Sequence, residues 1–297
     1  MAARIFLAIL FTVLSALSGS AQTLSVKPHF TVGDTFTVEI SHVRSNSTRP
    51  ESNAKARNLN QVRVVETGPT GSLLEWVEGP VDYDDPAQVG NPVVAGASKA
   101  LDNLRLMVKL NARGEFTELQ NEAVVSKQLL DVAEKVVKSV TAEAPADQRA
   151  GLEVVVRQMM QPAALLSSAT RDIQMYFSLH GVEIEAAKPV ETTVHLPNPI
   201  SGTPIQAKLR IRLESANNLT VQTIFNASEV QAAMTELISK AAPGSPVPTV
   251  EVQDGGKYVY APAPGLMQSV TYTRKVKAGP QIRTDEWQMT LVKSSNL

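Results

Sequence analysis

Hydrophobic and polar positions alternate strictly over several stretches of the chain. Phe36, Val38, Ile40 and His42 alternate with Thr37, Glu39 and Ser41 after a Gly33-Asp34 turn, which predicts a strand with one buried face and one wet face. Ser45 to Asn60 is polar and predicts a loop. Val62 and Val64, the turn Gly68-Pro69-Thr70-Gly71, and Leu73 to Val77 then predict a hairpin. Residues 79 to 97, with Gly, Pro and Asp throughout, have no period and read as a surface connection. A second hairpin is predicted where Leu104, Leu106, Val108 and Leu110 alternate with Arg105, Met107 and Lys109. There Asn111-Ala112-Arg113-Gly114 turns the chain into Glu115 to Leu119.

After Asn121 the period changes. Val125, Leu129, Val132, Val136 and Val140 recur at three- and four-residue steps, which predicts a helix over 122–141. Pro145 and Asp147 restart the pattern with Leu152, Val155, Val156, Met159 and Met160. Pro162 interrupts it before a third segment reaching Leu179, with Gly181 as the stop. From Lys188 the period returns to two. Ala207, Leu209, Ile211 and Leu213 pair through Ala216-Asn217-Asn218 with Leu219, Val221, Thr223 and Phe225. Ser228 and Gln231 fit a capping box opening a short helix to Lys240. Val250 and Val252 lead to Asp254-Gly255-Gly256, read as a hairpin turn. Tyr258, Tyr260, Val270, Tyr272, Val276, Trp287, Met289 and Leu291 continue the strands.

This order predicts an α+β fold, a large and mainly antiparallel, half-barrel-like sheet with a central helical segment packed on one face. Residues 22–297 are expected to form one domain in three parts: β hairpins over 22–120, helices over 121–180, and strands with one short helix over 188–297. In layout the chain looks like the unclosed half-barrels of bacterial lipoprotein carriers. The likeness covers the general plan and transfers no residues.

The N-terminus adds an address. Arg4, an apolar run from Ile5 to Leu17 and the small residues Ser18-Gly19-Ser20-Ala21 read as a signal peptide cleaved after Ala21, too short in its apolar part for the roughly 20 residues of a membrane span. The mature chain is therefore expected to be exported, periplasmic or extracellular, and not membrane-spanning. The chain has no cysteine, which excludes disulfides, thiolate metal sites and a lipid-modified lipoprotein cysteine. A net charge of −1 without a basic block argues against a nucleic-acid partner.

Motif chemistry is sparse. The four histidines, His29, His42, His180 and His195, show no metal-ligand spacing, and no Gly-x-Ser-x-Gly elbow, Walker loop or dinucleotide fingerprint occurs. No catalytic residue, metal or cofactor is assigned. His42 reads as a hydrogen-bonded core residue, Asp82, Asp84 and Asp85 as a solvated turn, and Glu183 and Glu185 as part of an exposed edge strand. Met159, Met160, Met175 and Phe177 stand out with Leu165, Leu166 and Tyr176, because methionine is over-used where a surface adapts to varied apolar partners; the plain alternative is ordinary core.

Three functions are expected in order. The first is a non-enzymatic exported protein holding an apolar small molecule or lipid between sheet and helices, against Met159, Met160, Met175 and Phe177. The second is an envelope interaction or structural module that binds another envelope protein by a strand edge or the Pro-rich loop 243–248. The third is a hydrolase with an unrecognised site, which requires polar groups converging in a cleft around a strongly shifted carboxylate or histidine.

Overall fold

The alternating stretches become β2 (Thr35–Asn46), β3 (Ala54–Gly68), β4 (Gly71–Val77), β6 (Arg105–Asn111) and β7 (Phe116–Leu119) in the first half of the chain. In the second half they become β9 (Val190–Pro197), β10 (Pro204–Ser215), β11 (Asn218–Phe225), β12 (Val250–Ala261), β13 (Leu266–Ala278) and β14 (Gln281–Ser294). Two short ribbon strands, β1 (Thr23–Ser25) and β8 (Glu183–Glu185), and a two-residue β5 (Asp82–Tyr83) complete the strands. Helices α1 (Glu122–Glu143) and α2 (Pro162–Phe177) link the halves, and α3 (Ala227–Ala241) follows β11. The computed structural model describes residues 23–85, 101–143, 162–186, 188–198, 204–241 and 244–294, with 145, 149, 153 and 200 between them. The leader, most of the 79–97 connection and the helical restart carrying Met159 and Met160 lie outside the described residues.

The fold is α+β, and its main sheet is antiparallel throughout and not closed into a barrel. Its path runs β7-β6-β4-β3-β2-β14-β13-β12-β11-β10-β9, with β5 added beside β3. Each half is a meander, and the central joint is β2 against β14, from Phe36 opposite Ser294 to Asn46 opposite Arg283. The first and last long strands of the described chain therefore meet in mid-sheet. The chain leaves one sheet edge at β7, crosses the sheet by α1 and α2, and re-enters at the other edge as β9.

The sheet curves around α2. Strands β4 and β13 are four positions apart in the sheet, roughly 19 Å on a flat sheet at ordinary spacing. Yet the Tyr176 hydroxyl donates to the Met267 carbonyl of β13 at 2.7 Å, while its ring meets Trp76 of β4 edge-on at 6.3 Å. One side chain spans both only if the sheet wraps it. Ala169, Ile173, Tyr176 and Phe177, the buried stripe of α2, share one core with Phe36, Val38, Leu74, Leu106, Leu219, Val270 and Met289 from both halves. Among the described residues no helix is long and apolar enough to cross a membrane.

One end of the wrapped sheet is plugged. The turn after α2 brings Gly181 to Val26, and β8 pairs with β1. The adjoining segment is tied to the second half by Lys27, whose carbonyl accepts from the Tyr260 hydroxyl at 2.9 Å, and by the His29 amide on the Pro264 carbonyl. Gly265 permits this contact. It has φ +68°, and a Cβ there would stand 2.2 Å from the Lys27 carbonyl oxygen.

Three sequence expectations need correction. Of Ser45 to Asn60, expected to be a loop, only 47–53 lies outside the strands; Ser45 and Asn46 end β2 and Ala54 to Asn60 begin β3. Its alternation is present but polar on both faces, with Lys55 and Arg57 outward and Asn58 and Asn60 inward, so no apolar period marks it. Asp254-Gly255-Gly256 is not a turn but the middle of β12. Gly256 lies opposite Tyr272, and a Cβ there would come within 2.8 Å of the tyrosine ring, so glycine here admits a large neighbour. Asn226, not Ser228, caps α3. Its Oδ1 accepts from the Ser228 amide at 3.1 Å, while Gln231 is bonded to Pro248 and Val250 instead.

Candidate functional site

Because strand side chains alternate, inward residues of neighbouring strands form rows across the sheet. The row Ile40, Met289, Val270, Tyr258, Leu219 is apolar. One step toward the end opposite the plug, His42, Trp287 and Tyr272 stand side by side. The next row is Arg44, Asp285, Arg274, Asp254, Thr223, charges of alternating sign on adjacent strands. From β2 across to β11 the inner face is thus apolar in its middle rows and polar at the end away from the β1–β8 ribbon, while on β3 the middle rows carry Asn58 and Asn60.

The charges of this end row satisfy one another. Asp285 accepts from Arg44 at 2.8 Å and Arg283 at 2.7 Å and lies 3.2 Å from His42. Burial alone would raise the Asp285 carboxyl, but these hydrogen bonds outweigh it and hold the group well below the usual carboxylate range. Arg274 donates to Asp254 at 2.6 Å, and burial still pushes the Asp254 carboxyl up. The His42 ring stacks on Trp287 at 4.7 Å, and the Arg171 guanidinium of α2 stands over the Trp287 ring at 5.2 Å.

Beside this row, on the β3–β4 side, sits Glu78, 8% exposed and just beyond β4. Its carboxylate accepts from Trp76 Nε1 at 3.0 Å and from Asn58 Nδ2 at 3.1 Å. Both donors are neutral, and among the described residues no cation lies within ion-pair distance. Burial first and the Asp172 carboxylate second push the Glu78 acid from 4.5 up to about 8. The acid therefore holds its proton to a higher pH than an ordinary carboxyl does.

A cavity of about 140 Å³ opens at this point between α2 and the strands. Glu78, Asn58, His42, Arg57, Arg171 and Asp172 form its polar wall, and Ile40, Val81, Leu101 and Ala169 are among its apolar neighbours. A larger groove of about 550 Å³ runs over the outer face past Glu39, Leu59 and Asn103, where Arg57 is already shared between Glu39 and Asp82. Among the described residues the buried side-chain atoms without a hydrogen-bond partner are Asn60 Nδ2, Trp287 Nε1, Asp254 Oδ1 and His180 Nδ1. Trp287 and Asp254 lie in the two rows of the polar end.

The residues singled out from the sequence fall elsewhere. Phe177 is a core residue of the plugged end, between Tyr176 at 5.2 Å and His180 at 5.1 Å. Met175 is half-buried against the core, and Met159 and Met160 lie outside the described residues. Neither Phe177 nor Met175 lines the 140 Å³ cavity. His42 is hydrogen-bonded inside the fold, as expected, and also borders the cavity. Asp84 pairs with Lys55 at 2.5 Å, and Glu183 and Glu185 are exposed on the ribbon. Glu78, Asn58 and Asp172 escaped sequence reading. The one signal available was Glu78 following the inward positions Leu74 and Trp76, which places an acid on a buried face.

The fold and its polar end describe an open antiparallel sheet wrapped on a helix. No protein-family profile matches the sequence, and no curated protein matches it. Among solved structures the chain is similar to lipovitellin, described for its lipid–protein interactions, at 7% identity and a TM-score of 0.40 over 90% of this chain and 26% of that one. The chain thus spans about a quarter of that protein's length.

Proposed function

We propose that this is an exported, non-enzymatic binding protein whose ligand is an amphiphile, held between the inner face of the sheet and the helices. The observation that carries the reading is the graded inner face, with apolar rows packed under α2 in the middle of β2 and β11–β14 and a charged row at the end away from the β1–β8 ribbon. An amphiphile has the same two parts in the same order. Leu165, Leu166 and Met175 of α2, half-buried against the core, supply apolar contact beyond the packed stripe. Export rests on the leader reading of residues 1–21.

Mass spectrometry of protein purified from an envelope fraction without detergent tests the reading. Spectra taken native and after organic extraction are expected to differ by the mass of an extractable amphiphile, with the chain beginning at Gln22. A chain that retains its leader and carries no extractable molecule overturns it.

A hydrolytic reading draws on one specific observation, the raised Glu78 acid sharing a cleft with His42 and Asp172. Its test is turnover of ester and glycoside substrates that disappears in Glu78→Gln. Its failure leaves the binding reading alone.

A further inference from the structure

We propose that the cavity between α2 and the polar end of β2 and β3 is a site for a primary ammonium group, carried by the head of the bound amphiphile. The proposal rests on the amphiphile reading for the source of the amine, and on the cavity wall for its chemistry.

Among the described residues both arginines at that wall are already engaged. Arg171 donates to Asp172 at 3.0 Å and covers Trp287, Arg57 stands between Glu39 and Asp82, and the neighbouring His42 ring is hydrogen-bonded to Asp285. Among the described residues Glu78 is the wall's acid without an ion-pair partner: neutral groups hydrogen-bond it, and Arg171, bonded to Asp172, offsets its burial only in part. A buried carboxylate is costly without a positive partner, so the group either keeps a proton or meets a cation. A primary ammonium brings that charge with three donors, which the Glu78 and Asp172 oxygens can accept. Its entry expels the Glu78 proton to solvent, so the exchange is electroneutral.

Size and surface narrow the ligand further. A cavity of about 140 Å³ admits a small head group such as an aminoethyl group. Ile40, Ala56 and Ala169 give its methylenes apolar neighbours. A trimethylammonium head offers no N–H donor to the two carboxylates, and among the described residues no Trp, Tyr or Phe lines the cavity to receive it. A glycerol head brings no positive charge. Ethanolamine-type heads are therefore selected over both.

Calorimetry with short-chain dihexanoyl phospholipids bearing ethanolamine, choline or glycerol heads separates this proposal from the reading beneath it. The ethanolamine head is expected to bind about tenfold tighter than the other two, the scale of one charge-assisted contact, with about one proton released at pH 7 across buffers of different ionisation enthalpy. Glu78→Gln is expected to reduce the preference to about twofold. Three heads binding alike overturn the ammonium site and leave the amphiphile reading standing, whereas no binding at all overturns both. Free ethanolamine displacing the lipid at equal concentration supports the ammonium site and removes the need for a lipid tail. Should Glu78→Gln fail to fold, the wild-type preference decides. Among the described residues the charged and titratable groups that border the cavity with Glu78 are Asp172 and Arg171 from α2, His42 from β2 and Arg57 from β3. The preference is expected to rise between pH 6 and pH 8 as the Glu78 proton becomes easier to expel, and a flat profile overturns the proposal.

Discussion

Glu78 makes the folded state sensitive to alkali. Burial and Asp172 raise its acid from 4.5 to about 8, so the folded chain holds a proton that the unfolded chain has released. Stability contributed by this group is highest below about pH 4.5 and declines as pH rises toward 8. Glu78→Gln is expected to gain in melting temperature over wild type between pH 5 and pH 9; an unchanged difference would show the carboxylate ionised in the folded chain. Two other groups act in acid. Burial lowers His180 from 6.5 to about 4, so its neutral imidazole contributes fully above 6.5 and loses that contribution as pH falls toward 4. The depressed carboxyl of Asp285 contributes above the ordinary carboxylate range and loses its contribution as pH falls below it. Urea midpoints are expected to fall in two windows, the upper one absent in His180→Gln and the lower one reduced in Asp285→Asn. A single window in wild type would contradict this assignment.

At the scale of elements, the stretches that were legible carried an apolar stripe. Val125, Leu129, Ala133 and Val136 of α1, and Leu106, Val108 and Leu110 of β6, face the core as their spacing predicts. The start of β3 was not legible, because Asn58 and Asn60 occupy inward positions where polarity normally signals a loop. The same two residues support Glu78, through Asn58 Nδ2 on the carboxylate and the Gly79 amide on Asn60 Oδ1 at 3.0 Å. The site was hidden by the feature that builds it. β12 shows the converse error, since two glycines in mid-strand imitate a turn. A Cβ at Gly256 would come 2.7 Å from the Thr271 carbonyl oxygen and 2.8 Å from the Tyr272 ring. Gly256→Ala is therefore expected to cost about 1–3 kcal/mol in urea unfolding, where an exposed turn glycine with negative φ would tolerate alanine. A change within about 0.5 kcal/mol would mean that the strand gives way freely at this point.

Over the whole molecule, stability depends on contacts that join distant parts of the chain. β2 and β14 pair across nearly the whole described length, and Tyr176 joins β4 to β13 through the core. Tyr176→Ala is expected to destabilise by about 3–5 kcal/mol with a single unfolding transition, because both halves of the sheet lose the same support. Tyr176→Phe retains the ring and is expected to cost about 1 kcal/mol for the Met267 carbonyl left without its donor. Two separate transitions in the alanine variant would show the halves to be independent.

The α+β class, the hairpins turning at 68–71, 111–114 and 216–218, both long helices and the absence of cysteine chemistry were determined by the sequence alone, because period, turn residues and composition are local properties. The meeting of β2 with β14, the wrapping of the sheet on α2 and the gathering of Glu78, Asp172 and His42 around one cavity were decided only by the tertiary structure. These residues are separated by tens to hundreds of positions, and none carries a distinguishing pattern in its own neighbourhood. A buried acid acquires its unusual proton affinity from what surrounds it in space, and that surrounding exists only once the two halves have closed on the helix.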